Sequence, residues 1–125
     1  MVLVDTSVWI RFLAYQEPWR RELDHLLAQE QVAAHDLVYG EILSGDRGGR
    51  RKFLSAYELM RRAETISHQE VVHFARSRDL HGRGAGWIDT HLLASALAEG
   101  MNVWTADAHL HALAVELGIA HKRGA

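Results

Sequence analysis

Four acidic residues of this chain lie where an α/β protein could bring their carboxylates together. Asp5 ends a short apolar run near the N-terminus, and Asp107 follows a second apolar run. Asp89 stands where a glycine-rich stretch passes into a long apolar segment, and Glu41 lies inside another apolar segment. Acidic side chains are rarely buried without a partner, and four of them in one place would repel one another. A hard divalent cation such as Mg²⁺ or Mn²⁺ prefers oxygen ligands of this kind.

The chemistry that such a set would support is cleavage of phosphodiesters. A divalent cation bound there would lower the pKa of water and stabilise charge on phosphate oxygens. We expect Asp5 to be the central ligand, and the sequence leaves open whether Glu41 or Asp89 orients the attacking water. Gly40 costs a helix about 1 kcal/mol relative to alanine, so we expect another part of the backbone to approach it closely. Taken singly, Asp5, Asp89 and Asp107 could each serve only to begin a helix.

The elements that must position these residues alternate between short apolar strands and longer amphipathic segments. We expect strands near residues 2–5, 32–34, 63–66, 102–105 and 119–120. We expect helices near residues 6–14, 17–29, 37–44, 50–62, 68–80, 87–99 and 107–117. The expected helix boundaries include caps at Asp36, Ser67 and Asp107 and a stop at Gly100. This alternation is typical of an α/β fold with a mainly parallel sheet covered on both faces. Ligands of such folds bind beyond the carboxyl ends of the strands, where Asp5 and Asp107 can meet.

Composition narrows the class of protein. The chain has 125 residues, which fits a single domain over residues 1–125. It has no cysteine, so disulfides, zinc–thiolate sites and thiol catalysis are excluded. No apolar stretch approaches the length of a membrane span, and we expect a cytoplasmic protein. A net charge of −2 argues against a general coat for nucleic acid, although the arginines form clusters suited to phosphate.

Four segments of the chain, in order and at the right spacing, resemble the PIN-domain ribonucleases. The similarity is greatest to the VapC-type toxins of bacterial toxin–antitoxin pairs. These segments are residues 2–10, 37–45, 84–96 and 103–110. The resemblance implies a three-layer α/β/α PIN-like domain that cleaves RNA with Mg²⁺ or Mn²⁺. It also implies a cognate antitoxin that masks the site, and a homodimer.

Carried over to this sequence, the resemblance assigns an acidic metal site with hydroxyl groups beside it. The acidic residues would be Asp5, Glu41, Asp89 and Asp107, and the hydroxyl neighbours Thr6 and Thr105. Members of the family vary around the third segment, and here His91 stands two residues after Asp89. The number of bound ions therefore stays open.

Other residues near these segments are candidates for contact with the substrate. Arg83 lies in the glycine-rich segment 82–86, which lacks the Lys-Ser/Thr of a nucleotide-binding P-loop. His91 and His109 follow Asp89 and Asp107 closely in the sequence. The nine histidines show no spacing typical of a zinc site.

Two other classes of function remain in competition. In the first, the acidic pocket is a non-catalytic binding site that receives a basic residue of a partner protein. The second is a hydrolase of small phosphate esters, although the haloacid dehalogenase type needs two acidic residues one apart after the first strand. The helix at 6–14 is apolar nearly all round, so it needs cover from the second helix or from a partner.

Overall fold

The chain, in a computed structural model that describes residues 1–122, is a small parallel sheet enclosed by helices. The strands are β1 (Val2–Val4), β2 (Val32–Ala33) and β3 (Asn102–Trp104). The helices are α1 (Thr6–Leu13), α2 (Trp19–Ala28), α3 (Asp36–Ser44), α4 (Arg51–Glu58), α5 (His68–Ser77), α6 (Trp87–Glu99) and α7 (Ala108–Glu116). The expected three-layer α/β/α fold with a parallel sheet is confirmed. None of the helices within residues 1–122 is long and apolar enough to cross a membrane.

The sheet has the order β2-β1-β3, so the first strand of the chain is the central one. Val2 pairs with Val32 on one side and with Asn102 on the other. Every residue of β1 is buried, as expected for a central parallel strand covered on both faces. The N–H of Asp5 donates to the carbonyl of Trp104 at 3.0 Å. This bond continues the β1–β3 ladder to the carboxyl edge of the sheet and places Asp5 beside the end of β3.

Several of the predicted strands and helices have different limits in the structure. The expected strand at 63–66 is reduced to one bridge between Ala34 and Arg62, and the one at 119–120 to a bridge between Val103 and Ala120. The second helix begins at Trp19 rather than residue 17, α4 ends four residues early, and α5 ends three residues early. The N-cap of α3 is His35 rather than Asp36, because the His35 side chain accepts from the N–H of Leu37. Ser67, Asp107 and Gly100 cap helices as expected.

The apolar surface of α1 is covered from within the chain. Trp9 is almost fully buried and packs against Phe53 at 5.2 Å and Tyr57 at 5.6 Å, measured between ring centroids. Phe12 lies edge-on to Trp9 and also carries the guanidinium of Arg20 over its ring. The cover therefore comes from α4 as well as from α2, and the sequence did not indicate α4 for this role.

A buried histidine joins β2 to α6. The Nδ1 of His35 accepts from the N–H of Leu37 at 3.1 Å, so its proton belongs on Nε2. Nε2 then donates to Ser95 Oγ at 3.0 Å, and Ser95 Oγ donates to the carbonyl of Glu64 at 2.7 Å. Burial lowers the pKa of His35 to about 4. Protonation of Nδ1 would place a second donor against the N–H of Leu37, so this network needs the neutral ring.

We expect the chain to lose stability as the pH falls from about 6.5 to 4 because of His35. The unfolded chain binds a proton at His35 near pH 6.5, whereas the folded chain binds it only near pH 4. The loss has a slope of at most about 1.4 kcal/mol per pH unit. The charges of Asp36 and Glu99 raise the pKa of His35 and that of His91 lowers it, but burial outweighs them.

Urea unfolding followed by circular dichroism at pH 7, 6 and 5 measures this loss. His35→Gln is the matched control, because its amide can still donate to Ser95 but does not titrate. The difference in unfolding free energy between wild type and His35→Gln should shrink with falling pH. Parallel curves for the two proteins would refute the assignment.

Candidate active site

Asp5 is the most tightly held of the four predicted carboxylates. It is only 3% exposed and caps α1, accepting from the N–H of Val8 at 3.3 Å. Its Oδ1 accepts from Ser7 Oγ at 2.5 Å, and its Oδ2 accepts from Thr105 Oγ1 at 2.6 Å. Burial raises the pKa of the Asp5 carboxyl, and the hydrogen bonds oppose that rise. The carboxylate is thus fixed from both sides at the carboxyl edge of the sheet.

Ser7 is a site residue that was not among the predicted ones. Its hydroxyl donates to Asp5, accepts from the N–H of Ala106 at 2.9 Å, and lies 3.3 Å from Thr105 Oγ1. Thr105 Oγ1 also accepts from the N–H of Asp107 at 3.0 Å. The two hydroxyls therefore connect Asp5 at the end of β1 to the turn that presents Asp107. This turn is 98 residues away in the sequence from Ser7.

Glu41 enters the same region from α3 and is held by Thr6. Thr6 Oγ1 donates to Glu41 Oε1 at 2.6 Å, so the predicted hydroxyl neighbour contacts a predicted acidic residue. The Glu41 side chain is exposed rather than enclosed by the apolar residues around it. The close approach expected at Gly40 is absent, because a Cβ built there would meet nothing within 4 Å in the described part of the chain.

Asp89 and Asp107 both stand at the beginning of a helix. Asp89 lies in the first turn of α6, and its Oδ2 accepts from the N–H of Gly86 at 3.2 Å. Asp107 caps α7, and its Oδ1 accepts from the N–H of Leu110 at 2.8 Å. Asp89 and Asp107 therefore do stabilise the beginnings of their helices, as each could do alone. This role is compatible with a metal site, because each carboxylate has a second oxygen that does not make these bonds.

The glycine-rich segment before α6 is tied to α7. Gly84 has a φ of +87°, and a Cβ there would lie 2.7 Å from the ring of His109. The imidazole of His109 therefore packs directly on the Gly84 backbone, and its Nδ1 lies 4.0 Å from Asp107 Oδ1. The guanidinium of Arg83 pairs with Glu116 of α7 by hydrogen bonds that raise the pKa of Arg83 and lower that of Glu116. These contacts fix the approach of the segment to the site.

The four carboxylates influence one another electrostatically. The pKa of Asp89 is raised to about 6, first by burial and then by the charges of Asp5, Asp107 and Glu41. The hydrogen bond from Gly86 opposes that rise. Among residues 1–122, no lysine or arginine forms an ion pair with any of these carboxylates. The structure thus brings all four predicted acidic residues to one region and leaves their repulsion uncompensated.

The four carboxylates suit a divalent cation in their chemistry. Their oxygens are the ligands that Mg²⁺ and Mn²⁺ prefer. Their uncompensated charge also fits such an ion. Within residues 1–122, however, no three histidine, aspartate or glutamate side chains are grouped closely enough to hold a metal ion as they stand. The residues therefore fit the ion by chemistry, and binding would have to draw the side chains together.

The other predicted substrate neighbours, Arg83 and His91, each contact residues other than the four carboxylates. The exposed guanidinium of Arg83 is committed to Glu116. His91 is buried, lies edge-on to Trp87 at 5.1 Å, and has a pKa lowered by burial and by His68 of α5. The ring of His91 thus packs against Trp87, the first residue of its own helix.

The small parallel sheet and the acidic residues at its carboxyl edge can now be compared with known protein families. The PIN domain family matches residues 2–116 of the chain. The chain belongs to the PIN domain family. The resemblance seen in the four sequence segments is thereby confirmed.

The chain is also similar to individual known proteins. The chain is 36% identical over 121 residues to "Ribonuclease VapC32" of Mycobacterium tuberculosis, with matches in two strains. The alignment covers 96% of this chain and 95% of the relative. Among solved structures, PAE2754 from Pyrobaculum aerophilum superimposes with a TM-score of 0.58, over 94% of each chain and at 20% identity. That second likeness shows the shared fold.

Proposed function

We propose that this protein is a metal-dependent endoribonuclease, the toxin of a type II toxin–antitoxin pair, which cleaves RNA with Mg²⁺ or Mn²⁺. The observation that carries the proposal is the position of Asp5, which Ser7 and Thr105 hold at the carboxyl edge of the sheet beside the turn of Asp107. The pKa of Asp89 is raised first by burial and then by the charges of Asp5, Asp107 and Glu41, which agrees with this arrangement. Four carboxylates that repel one another without a paired cation need a metal ion when they act together. Likeness to a named ribonuclease over nearly the whole chain supports RNA as the substrate.

Each acidic residue has its own part in the proposal. Asp5 is the central ligand, because Ser7 and Thr105 hold its two oxygens in fixed directions. Asp107 and Glu41 complete the set from α7 and α3. The ion, when bound, lowers the pKa of water and stabilises charge on the phosphate oxygens.

Asp89 is our choice for the residue that orients the attacking water and accepts its proton. Its Oδ2 is engaged by the N–H of Gly86, which leaves Oδ1 to act on the water. Burial raises the pKa of Asp89 to about 6, which makes its carboxylate a stronger base than an ordinary aspartate. Thr6 fixes the carboxylate of Glu41, which suits a ligand.

The partners of the protein follow from the same proposal. We propose that a cognate antitoxin masks the acidic site, that the chain acts as a homodimer, and that it works in the cytoplasm, where its RNA substrate is found. We also propose that residues 1–125 form a single domain. One continuous core that includes β1, α6 and α7 supports this last point.

The proposal is tested by incubating the purified, antitoxin-free protein with a panel of structured RNAs. Cleavage should occur with Mg²⁺ or Mn²⁺ and stop with EDTA, and the ion should raise the melting temperature by binding only the folded state. An absence of cleavage together with an absence of any metal-induced shift would reject the nuclease. Metal binding without cleavage of any RNA would favour the alternative, an acidic pocket that receives a basic residue of a partner.

Thr105 gives a prediction about how the site is positioned. Thr105→Val keeps the shape but removes the hydroxyl that donates to Asp5 and accepts from the N–H of Asp107. We expect cleavage to fall about tenfold or more, because a misplaced ligand lowers the rate steeply. Thr105→Ser, which keeps the hydroxyl, is the matched control and should retain most activity. Equal rates of RNA cleavage for the two variants would show that the hydroxyl plays no part.

A further inference from the structure

A cavity opens beside Asp107, one of the four carboxylates, between α2, the end of β3 and α7. Its volume is about 320 Å³, and we call it the α7 cavity. Thr105 and Asp107 line it, and both also belong to the acidic site. Thr105 Oγ1 holds the Asp5 carboxylate, and Asp107 is one of the four acidic residues. The cavity and the site are therefore continuous.

The walls of the α7 cavity are largely aromatic. Trp19 of α2 stacks on Trp104 of β3, with ring centroids 5.9 Å apart and planes 27° apart. The imidazole of His121 lies 5.3 Å from the Trp104 ring, and that of His111 lines the cavity from α7. An imidazole can donate or accept a hydrogen bond, according to its tautomer. Trp104 itself is only 2% exposed, so the accessible rings are those of Trp19 and of the two histidines. These rings offer flat surface together with groups that can form hydrogen bonds.

We propose that the α7 cavity binds the base of a nucleotide next to the phosphate that is cleaved. This proposal rests on the proposed function and names a subsite for its substrate. Proteins that recognise RNA sequence bind unstacked bases against aromatic side chains and histidine, and hydrogen-bond their edges. A base is flat, aromatic and carries donors and acceptors around its edge, which matches the walls. A volume near 300 Å³ lies at the lower end of small-ligand pockets.

The charge of the cavity lining distinguishes the base from the phosphate. Asp107 lines the cavity, so an anion would be repelled there in the absence of a metal ion. A neutral base meets no such barrier. The phosphate belongs to the carboxylates and their ion, while the base extends from it towards Trp19 and His111. A nucleotide can occupy both places at once because the two share Thr105 and Asp107.

The test uses free nucleosides, which carry a base but no phosphate and need no metal ion. The ¹⁵N-labelled full chain is titrated with adenosine, cytidine, guanosine and uridine, with ribose as the ligand that lacks a base. At least one nucleoside should shift the amide signals of residues 105–108 and 111, and ribose should leave them in place. If N-acetyl-leucine amide shifts these signals and no nucleoside does, the cavity takes a peptide side chain and the proposal falls.

A matched pair of variants checks that the cavity itself is the binding site. Ala108 lines the cavity, whereas Ala112, one turn further along α7, is exposed and does not line it. Ala108→Trp should fill the space and weaken nucleoside binding about tenfold or more, and Ala112→Trp should bind like wild type. The smaller change His111→Ala should weaken binding in the same direction. Undiminished binding by both Ala108→Trp and His111→Ala would overturn the proposal.

Failure of this subsite and failure of the nuclease give different results. If wild type cleaves RNA with metal and no nucleoside shifts the signals of residues 105–108, the nuclease stands and the subsite falls. If nucleosides bind in the cavity but no RNA is cleaved, the subsite stands and the nuclease falls. Where both stand, Ala108→Trp should raise the KM for RNA much more than it lowers kcat, because the base contributes to binding.

Discussion

Asp5→Asn is expected to lower metal-dependent RNA cleavage by at least about a thousandfold, while the chain still folds. The substitution removes the charge that would hold the ion and keeps the size of the side chain. The remaining amide oxygen can still accept from Ser7 and from the N–H of Val8, so the cap of α1 is preserved. Asp5→Ala is a poorer test, because it would leave the hydroxyls of Ser7 and Thr105 without their acceptor in a buried place.

The measurement compares initial cleavage rates of one RNA substrate at saturating Mg²⁺. Asp24→Asn is the matched control, since it changes the same functional group on the exposed face of α2, where Asp24 pairs with Arg20. That control should cleave at the wild-type rate, and circular dichroism should show native helix content for both variants. An Asp5→Asn protein that cleaves within tenfold of wild type would remove Asp5 from the centre of the site.

The sequence predicts the position of the acidic edge because local patterns determine it. The apolar run of β1 leads directly into Asp5, and the run at 103–106 leads into Asp107, so each specifies a strand end. Parallel pairing then brings those ends together whatever the sequence separation. Helix boundaries with a chemical cause were equally predictable, such as the left-handed Gly100 after α6 and the Ser67 cap of α5.

The remaining features depend on contacts that no local pattern reveals. Ser7 looks like an ordinary cap, and its link to Ala106 spans 99 residues. Arg83 looks available for phosphate until the fold places Glu116 beside it. Glu41 sits among apolar residues in sequence, yet the turn of α3 exposes it, and Gly40 has open space where a close approach was expected. Each of these depends on which helix face meets which neighbour.

Asp89→Asn is expected to have opposite effects on activity and on stability. Cleavage should fall at least about a hundredfold, because the residue proposed to accept the proton is lost. In EDTA at pH 8, however, the variant should be more stable than wild type by on the order of 1 kcal/mol, after allowance for solvent screening. The reason is that burial, and then the charges of three other carboxylates, disfavour the charge of Asp89, and the amide keeps the bond from Gly86 without that charge.

The dependence on pH and on metal separates this explanation from a simple change in packing. The folded pKa of Asp89, about 6, is higher than its usual value of 3.8, so its charge destabilises the folded chain above pH 6. That cost disappears as the pH falls from 6 towards 4, and the stability advantage of Asp89→Asn should disappear with it.

Saturating Mg²⁺ should make the wild type the more stable of the two proteins at pH 8, because the wild type binds the ion more tightly. Urea unfolding under these three conditions measures the effect, and an advantage that persists unchanged at pH 4 would count against charge repulsion as its cause. The group that makes the metal-free protein less stable would then be the one that the reaction requires, which is the expected relation between stability and activity at an acidic site.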